Sequence, residues 1–360
     1  MPNFTRLSEA DLKGNIGNRV LVTFLARDVQ LRTQKDQITK YIVFNMVDKD
    51  LVVEARIFGA TDEQIKLVQE GVVYNAAIDV KPYDKSTTGY SCIIYNMDYS
   101  DIAPELFANW ATDIEKARNV INSMLNKYYN TYYGKIAATL IIKYWEKFSK
   151  WSAAKSLHHN ILGGLLSHTA DAVVIADILA DHFNKEYGPD FINKPLLISA
   201  TLLHDLGKIF ELDVDVLSGK TEYSTHASLS NHIMDILKEV DLQAHELGYG
   251  ASVTIDSTTG NIVGDKSLEQ RNAEAEAVDL LKHCLAAHHG KLEFGSPITA
   301  SIPEATLIYL ADNISAEMFK YCRDLKQMEP GESKVIWSGG GSTTLYREKS
   351  KLLIGDIENE

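Results

Sequence analysis

Cysteine is scarce. Cys92, Cys284 and Cys322 are the whole complement of a 360-residue chain, and their spacing contains neither a CxxC pair nor a zinc-knuckle pattern. A disulfide scaffold and a cysteine-built metal site are therefore excluded, and the thiols are expected to be reduced and packed as small apolar side chains. Long apolar runs are missing as well. No stretch approaches the ~20 residues needed to span a bilayer, and MPNFTRLSEADLKG at the N-terminus lacks the apolar core of a signal peptide. The expected location is cytoplasmic, with no membrane partner. Positive charge is in deficit: 36 Lys and Arg against 49 Asp and Glu leave a net charge of −13. That is the wrong sign for a protein that coats nucleic acid by bulk charge, so any such contact must use a local groove, stacking or bound cations. There is no internal repeat and no long low-complexity tract.

What is present reads as globular, with 45% hydrophobic and 24% charged residues in a length typical of about two domains of ~150 residues. Between 18 and 98 the chain is rich in β-branched and aromatic runs: Arg19-Val-Leu-Val-Thr-Phe-Leu, Tyr41-Ile-Val-Phe-Asn-Met-Val, Leu51-Val-Val-Glu-Ala-Arg-Ile-Phe, 72–80 and 90–97. A short helix is expected over 61–70. Five strands with a helix between the third and fourth match an OB-type Greek-key β-barrel, a generic small barrel being the alternative on pattern alone. After Asp101 the periodicity turns helical, first over 104–147, where Tyr128, Tyr129, Tyr132 and Tyr133 are expected to pack between helices. It continues over 162–184, 194–203, 228–239, 269–287 and 303–322. The stretch 251–265, with its Ser257-Thr-Thr-Gly-Asn turn, breaks the pattern and is expected to be an inserted hairpin or loop. The predicted organisation is multidomain, α and β: a barrel over 1–100, a helical connector over 101–155, an all-α domain over 156–325 and a C-terminal tail over 326–360, part of it mobile.

Histidine and aspartate gather in the helical part: His168 in Gly163-Gly-Leu-Leu-Ser-His-Thr, His204-Asp205 in Leu202-Leu-His-Asp-Leu-Gly-Lys208, His232 in Asn231-His-Ile, His288-His289 before Gly290, and Asp312 in Leu310-Ala-Asp-Asn. Each histidine taken singly also fits a satisfied core residue. The adjacent His204-Asp205 pair argues otherwise, because a carboxylate at the end of an apolar helix needs a compensating charge, and a divalent cation of the Mn, Fe, Zn or Mg type suits mixed imidazole and carboxylate donors. Gly207 lets the backbone turn away, so that Lys208 faces a phosphate.

These residues resemble the H…HD…D pattern of HD-domain metal-dependent phosphohydrolases. More specifically, His159-Asn-Ile-Leu-Gly-Gly-Leu-Leu-Ser-His-Thr, Leu203-His-Asp-Leu-Gly-Lys-Ile, Ser230-Asn-His-Ile, His288-His-Gly-Lys-Leu-Glu-Phe-Gly-Ser-Pro and Ala311-Asp-Asn-Ile-Ser-Ala-Glu-Met are similar to YhaM-type 3′-to-5′ exoribonucleases, which place an OB-type domain before the HD domain. The resemblance spans roughly 19–321. It implies that His168, His204, Asp205 and Asp312 hold one metal. His232, His288 and His289 are implied to add ligands for a second, with Asp205 bridging. It further implies two divalent ions, Mn²⁺ first, with Mg²⁺, Fe²⁺ or Zn²⁺ as alternatives. The catalytic residues it implies are Asp205, Lys208 and His204. His159 is expected to meet a phosphate or a packing partner. The segment 241–270 is longer and more polar than the family pattern.

On the barrel, Tyr41, Phe44, Phe58 and Tyr83 are candidate stacking residues, and Arg27, Arg32, Lys35, Lys40 and Arg56 candidate backbone contacts. Each also fits a core aromatic or a solvated charged face. The expected function is metal-dependent 3′-to-5′ exonuclease action on single-stranded nucleic acid, RNA favoured and DNA as a further substrate, releasing 5′-mononucleotides, by a homo-oligomer. The alternatives are a phosphohydrolase or phosphodiesterase acting on a nucleotide or cyclic dinucleotide, and a non-catalytic nucleic-acid-binding module.

Overall fold

In a computed structural model of the chain, residues 3–34, 36–49, 51–84, 86, 88–111, 113–155, 160–216, 219–255, 262–338 and 341–349 are described. They fall into two units, Met1–Trp110 with Val214–Lys220, and Ala111–Asp213 with Thr221–Glu360.

In the first unit the alternating apolar runs close on themselves. Strands β1 (Thr5–Arg6), β2 (Arg19–Thr33), β3 (Lys40–Asp48) and β4 (Leu51–Phe58), helix α1 (Asp62–Leu67), then β5 (Val73–Pro82) and β6 (Tyr90–Tyr99) follow in order. The sheet runs β1-β2-β3-β4-β6-β5, and β5 pairs back onto β2. The result is a closed five-stranded OB-like barrel with β1 added at its edge. One face of each strand fills the interior with Phe24, Phe44, Met46, Ile57, Tyr74 and Ile94, which is the period-two signal of the sequence made physical. Helix α1 is the helix expected between the third and fourth barrel strands, and it is closed by a capping box between Thr61 and Gln64. Fully buried Asp48 accepts hydrogen bonds from the Arg6 guanidinium and from the Ser8 amide and hydroxyl. Burial alone would raise its pKa, but these donors outweigh burial and hold it below the usual carboxylate range.

The second unit is built from α2 (Ile114–Tyr128), α3 (Tyr132–Lys143), α4 (Trp145–Lys150), α5 (Gly164–Tyr187), α6 (Lys194–Leu203), α7 (Lys208–Glu211), α8 (His232–Glu246), α9 (Leu268–Ala287) and α10 (Pro303–Lys326). Between and after them come the strand pairs β7 (Leu212–Asp215) with β8 (Lys220–Tyr223), of which Val214, Asp215 and Lys220 are counted with the first unit, β9 (Val253–Ile255) with β10 (Ile262–Asp265), and β11 (Ser333–Ser338) with β12 (Gly341–Tyr346). One core joins Ile121, Leu125, Ile136 and Leu140 of α2 and α3 to Leu165, Val173, Leu197, Ile236, Leu285 and Ile308 of the later helices. Helices α2 and α3 are therefore part of this core.

Within the expected tyrosine cluster, Tyr128 is buried, whereas Tyr129 and Tyr132 are exposed. The expected inserted hairpin is present as β9 and β10, which pair antiparallel; its Ser257-Thr-Thr-Gly-Asn turn lies outside the described residues. Residues 333–338 and 341–346, read from sequence as tail, pair antiparallel, and Ile336 and Leu345 bury against Met328. Cys92 and Cys284 are buried thiols as expected, but Cys322 is exposed, because its place on α10 faces away from the shared core.

Candidate metal centre

Helix ends deliver most of the candidate ligands. Helix α6 is capped by the Asn193 side chain, which accepts from the Leu196 amide, and runs through an entirely buried Leu-Leu-Ile-Ser-Ala-Thr-Leu-Leu to His204 at its C-terminus. His232 is the first residue of α8, behind the Asn231 cap. His288 ends α9. His168 and Asp312 sit inside α5 and α10. Gly207 is required by close approach: a Cβ there would lie 2.0 Å from the His232 carbonyl oxygen. The turn carrying Asp205 and Lys208 is thereby pressed against the start of α8.

The side chains form two triads, His168–His204–Asp312 and His232–His288–His289, whose donor atoms within each triad lie within 4.8 Å of one another. In the first, His168 Nε2 is 3.3 Å from His204 Nε2 and 3.1 Å from Asp312 Oδ1. In the second, His232 Nε2 is 3.2 Å from His289 Nε2. Asp205 stands between them. Its Oδ2 is 3.4 Å from His168 Nε2 and 3.5 Å from His204 Nε2, and its Oδ1 is 3.9 Å from His232 Nε2. Lys208 Nζ donates to Asp205 Oδ2 at 2.7 Å. His168, His204 and His288 are fully buried.

The far nitrogens fix the near ones. Nδ1 of His204, His288 and His289 each meets a carbonyl oxygen, of Thr201 (2.7 Å), Leu285 (2.6 Å) and Phe294 (3.0 Å), and Nδ1 of His232 meets the Glu211 carboxylate at 2.8 Å. A carbonyl can only accept, so these Nδ1 atoms carry the proton and a neutral ring presents a bare lone pair at Nε2. Burial is the main reason that the pKa values of His204, His288 and His289 are lowered, that of His288 well below the ordinary value. His168 differs: burial would lower it, but the Asp205 and Asp312 carboxylates push it up to about 9. Burial would raise Asp205 and Asp312, yet Lys208 and His204 hold Asp205, and His168 holds Asp312, below the carboxylate range. Burial opposes a charged Lys208, but Asp205 keeps its pKa raised.

These residues fit divalent cations. Lone pairs aimed at one another across 3.2 Å repel unless a proton or a cation lies between, and buried His288 Nε2 has no hydrogen-bond partner. Histidine with its other nitrogen held by a carbonyl or carboxylate is the usual support of a metal ligand, and the nitrogen–oxygen donor set suits first-row divalent ions. The residues of both triads and Asp205 are the seven expected from sequence, and the structure brings all seven together.

Residues 165–317 match the family model of the HD domain. That part of the helical unit is HD-like. The chain is also similar to proteins named 3′-5′ exoribonuclease YhaM: 30% identical over 198 residues to that of Bacillus subtilis (strain 168), and 33% identical over 198 residues to that of Oceanobacillus iheyensis, in each case 55% of this chain and 52% of the relative. The chain thus spans about half the length of the curated relatives it matches.

Around the HD-domain ligands, Glu211 under His232 and Ser315 Oγ, 3.1 Å from His168 Nδ1, were not singled out by sequence reasoning. Glu211 lies one helical turn after Lys208, a spacing that places it on the same side of α7. His159 and Lys35 lie outside the described residues. On the barrel, Arg32, Tyr41 and Phe58 are successive cross-strand partners on β2, β3 and β4. The Tyr41 and Phe58 rings stack at 5.8 Å, and the Arg56 guanidinium lies 4.5 Å over the Tyr83 ring. Lys40 pairs in register with Thr33. Arg27 pairs with Asp28 at 3.6 Å, and Arg56 with Glu54. Phe44 is a correction. It is 1% exposed and stacks on Phe24 inside the barrel, so it is a core residue with no access to a ligand.

Proposed function

We propose that the chain is a metal-dependent 3′-to-5′ exonuclease that hydrolyses the terminal phosphodiester of single-stranded RNA, and of DNA as a second substrate, to 5′-mononucleotides. The observation that carries this reading is the pair of largely buried triads bridged by the two oxygens of Asp205. Two divalent ions held there, Mn²⁺ first among Mn²⁺, Mg²⁺, Fe²⁺ and Zn²⁺, would supply Lewis-acid charge to the phosphodiester and an activated water at neutral pH.

The chain's own part is preorganisation. The carbonyls of Thr201, Leu285 and Phe294 and the Glu211 carboxylate lock four imidazoles in the tautomer a ligand needs. Lys208 keeps its proton and adds positive charge where negative charge grows on the phosphoryl oxygens. The outward Arg32–Tyr41–Phe58 row, with Arg56 on Tyr83, offers π faces and cations without base-edge readout, the chemistry of sequence-tolerant single-strand binding. The names of the relatives support polarity and the preference for RNA. A cytoplasmic homo-oligomer completes the proposal, the assembly being measurable by light scattering.

The deciding experiment is product analysis from 5′-labelled RNA and DNA with Mn²⁺, Mg²⁺ or chelator, beside mononucleotide and cyclic dinucleotide substrates. A ladder of stepwise-shortened strands and free 5′-mononucleotides, abolished by chelator, is expected. Turnover of the small nucleotides alone would replace the polymer with a small-molecule substrate, and metal-loaded protein that binds strands without cutting them would refute catalysis.

A further inference from the structure

Metal binding leaves unexplained the segment that follows the paired histidines, Gly290-Lys-Leu-Glu-Phe-Gly-Ser. It is a built loop. The Gly290 amide donates to the Ala287 carbonyl at 2.8 Å, Phe294 to Lys291 at 3.0 Å, Gly295 to Leu292 at 3.0 Å and Ser296 to Lys291 at 3.2 Å. The buried Ser296 hydroxyl lies 3.0 and 2.9 Å from the carbonyls of Ala286 and Ile298. Gly290 has φ +76°, and a Cβ there would come within 2.5 Å of the Tyr309 ring; Gly295 has φ +86°. Both ends are thus fixed by conformations that side chains disfavour.

This well-defined loop holds its largest apolar side chains out of the core. Leu292 is 61% and Phe294 54% exposed, and Leu229, just ahead of His232, is 90% exposed. Single exposed apolar residues are ordinary. Here they gather on the two segments that deliver His232, His288 and His289. Burying a phenyl ring would favour folding by about 1.5–3 kcal/mol, so a rigid loop that leaves it out forgoes that gain. Two further contacts define its use. The Lys291 ammonium sits 5.1 Å from the Phe294 ring centroid, and the Phe294 carbonyl is the group that orients His289. The Phe294 backbone is thereby tied to a candidate metal ligand.

We infer that Phe294, backed by Lys291, forms a nucleobase subsite on which the terminal base of the strand stacks while its phosphodiester lies at the metal centre. This rests on the exonuclease reading above and names how that site holds its substrate. A π face accepts any base, so the subsite grips the 3′-terminal nucleotide without reading sequence, and the Lys291 ammonium, which also pairs with the Glu293 carboxylate at 3.4 Å, backs the Phe294 ring by a cation–π contact.

The test uses 5′-labelled strands that differ only in whether the 3′-terminal nucleotide carries its base. Wild type, Phe294→Ala, Phe294→Leu and Phe294→Trp are compared with Mn²⁺ present, with metal content measured on each. Wild type is expected to have a roughly tenfold higher KM on the abasic end at similar kcat, the size of one base–aromatic contact. Phe294→Ala and Phe294→Leu should lose the preference for the intact end, so that their KM values on the two strands converge, and Phe294→Trp should restore it. Metal content should be unchanged in all three, because the orienting carbonyl belongs to the backbone. The leucine variant keeps apolar bulk and guards against a folding defect in the alanine one. Equal losses on both strands, or a wild type indifferent to the missing base while digesting both, would overturn the subsite alone. A wild type that digests neither strand would refute the exonuclease reading itself, and the subsite with it.

Discussion

Asp205 offers one carboxylate oxygen to each triad, so its replacement by asparagine should weaken both metal positions together. Asp205→Asn is expected to lower metal affinity at both by at least ~100-fold, beyond the effect of losing an outer support, and to abolish nuclease action while the circular dichroism of the helices persists. Equilibrium dialysis that still finds wild-type metal stoichiometry would remove Asp205 from the bridge. His168 gives the two positions different pH behaviour. With its pKa pushed up to about 9 by Asp205 and Asp312, it is protonated in the metal-free protein at neutral pH. A raised pKa means that the proton's contribution is present below the unfolded value and is lost as pH rises through about 9. A cation entering the His168–His204–Asp312 triad must displace that proton, so its apparent affinity should rise about tenfold per pH unit between 7 and 8.5. His288 and His289, with lowered pKa values, carry no Nε2 proton for a cation to displace, and the second position should be much flatter. Chelator-competition titrations at pH 7 and 8 that gave the same slope for both ions would contradict this.

At the level of elements, the centre depends on how tightly the turn between α6 and α7 meets α8. Gly207 has ordinary helical torsions (φ −59°); glycine is needed there for space. The neighbours of an added Cβ are backbone atoms of His232, at 2.0, 2.7 and 2.8 Å, which cannot rotate aside. Gly207→Ala should cost about 1–3 kcal/mol by overpacking and should weaken the His232-containing triad more than the other, read by thermal melts and metal titration. A variant with unchanged melting and metal content would refute the close-approach role.

Gly207 also marks what sequence could tell. Five of the seven ligands were legible as short words at helix ends, His-Asp, Asn-His and His-His, where apolar periodicity stops and chemistry starts, whereas His168 and Asp312 sit inside helices and were read only through the resemblance to the H…HD…D pattern. Their supports were not, since His168 meets Ser315 across 147 positions and carbonyl partners carry no residue-type signal. In the barrel, strand order was readable from element order, but facing was not fully used. Tyr41 and Phe44 are three residues apart on one strand and must point to opposite faces, so both cannot stack on a ligand, and the fully buried one is Phe44.

For the molecule as a whole, the net charge of −13 makes long-range attraction of a polyanion unfavourable, and binding must rest on short-range contacts. Of the four candidate barrel cations among the described residues, Arg27 and Arg56 are paired with acidic neighbours, while Arg32 donates to the Gln30 amide oxygen, a neutral acceptor. About two or three phosphates should therefore be neutralised. For single strands the logarithm of affinity falls with slope near −0.7 per phosphate, so raising monovalent salt from 50 to 200 mM at constant divalent ion should weaken strand binding only about tenfold. A loss nearer a thousandfold would reveal a basic tract that these residues do not provide. A shallow slope, combined with loss of binding in Tyr41→Ala and Phe58→Ala, would assign the grip to stacking, the contribution that an acidic protein can make to holding RNA without reversing its own charge.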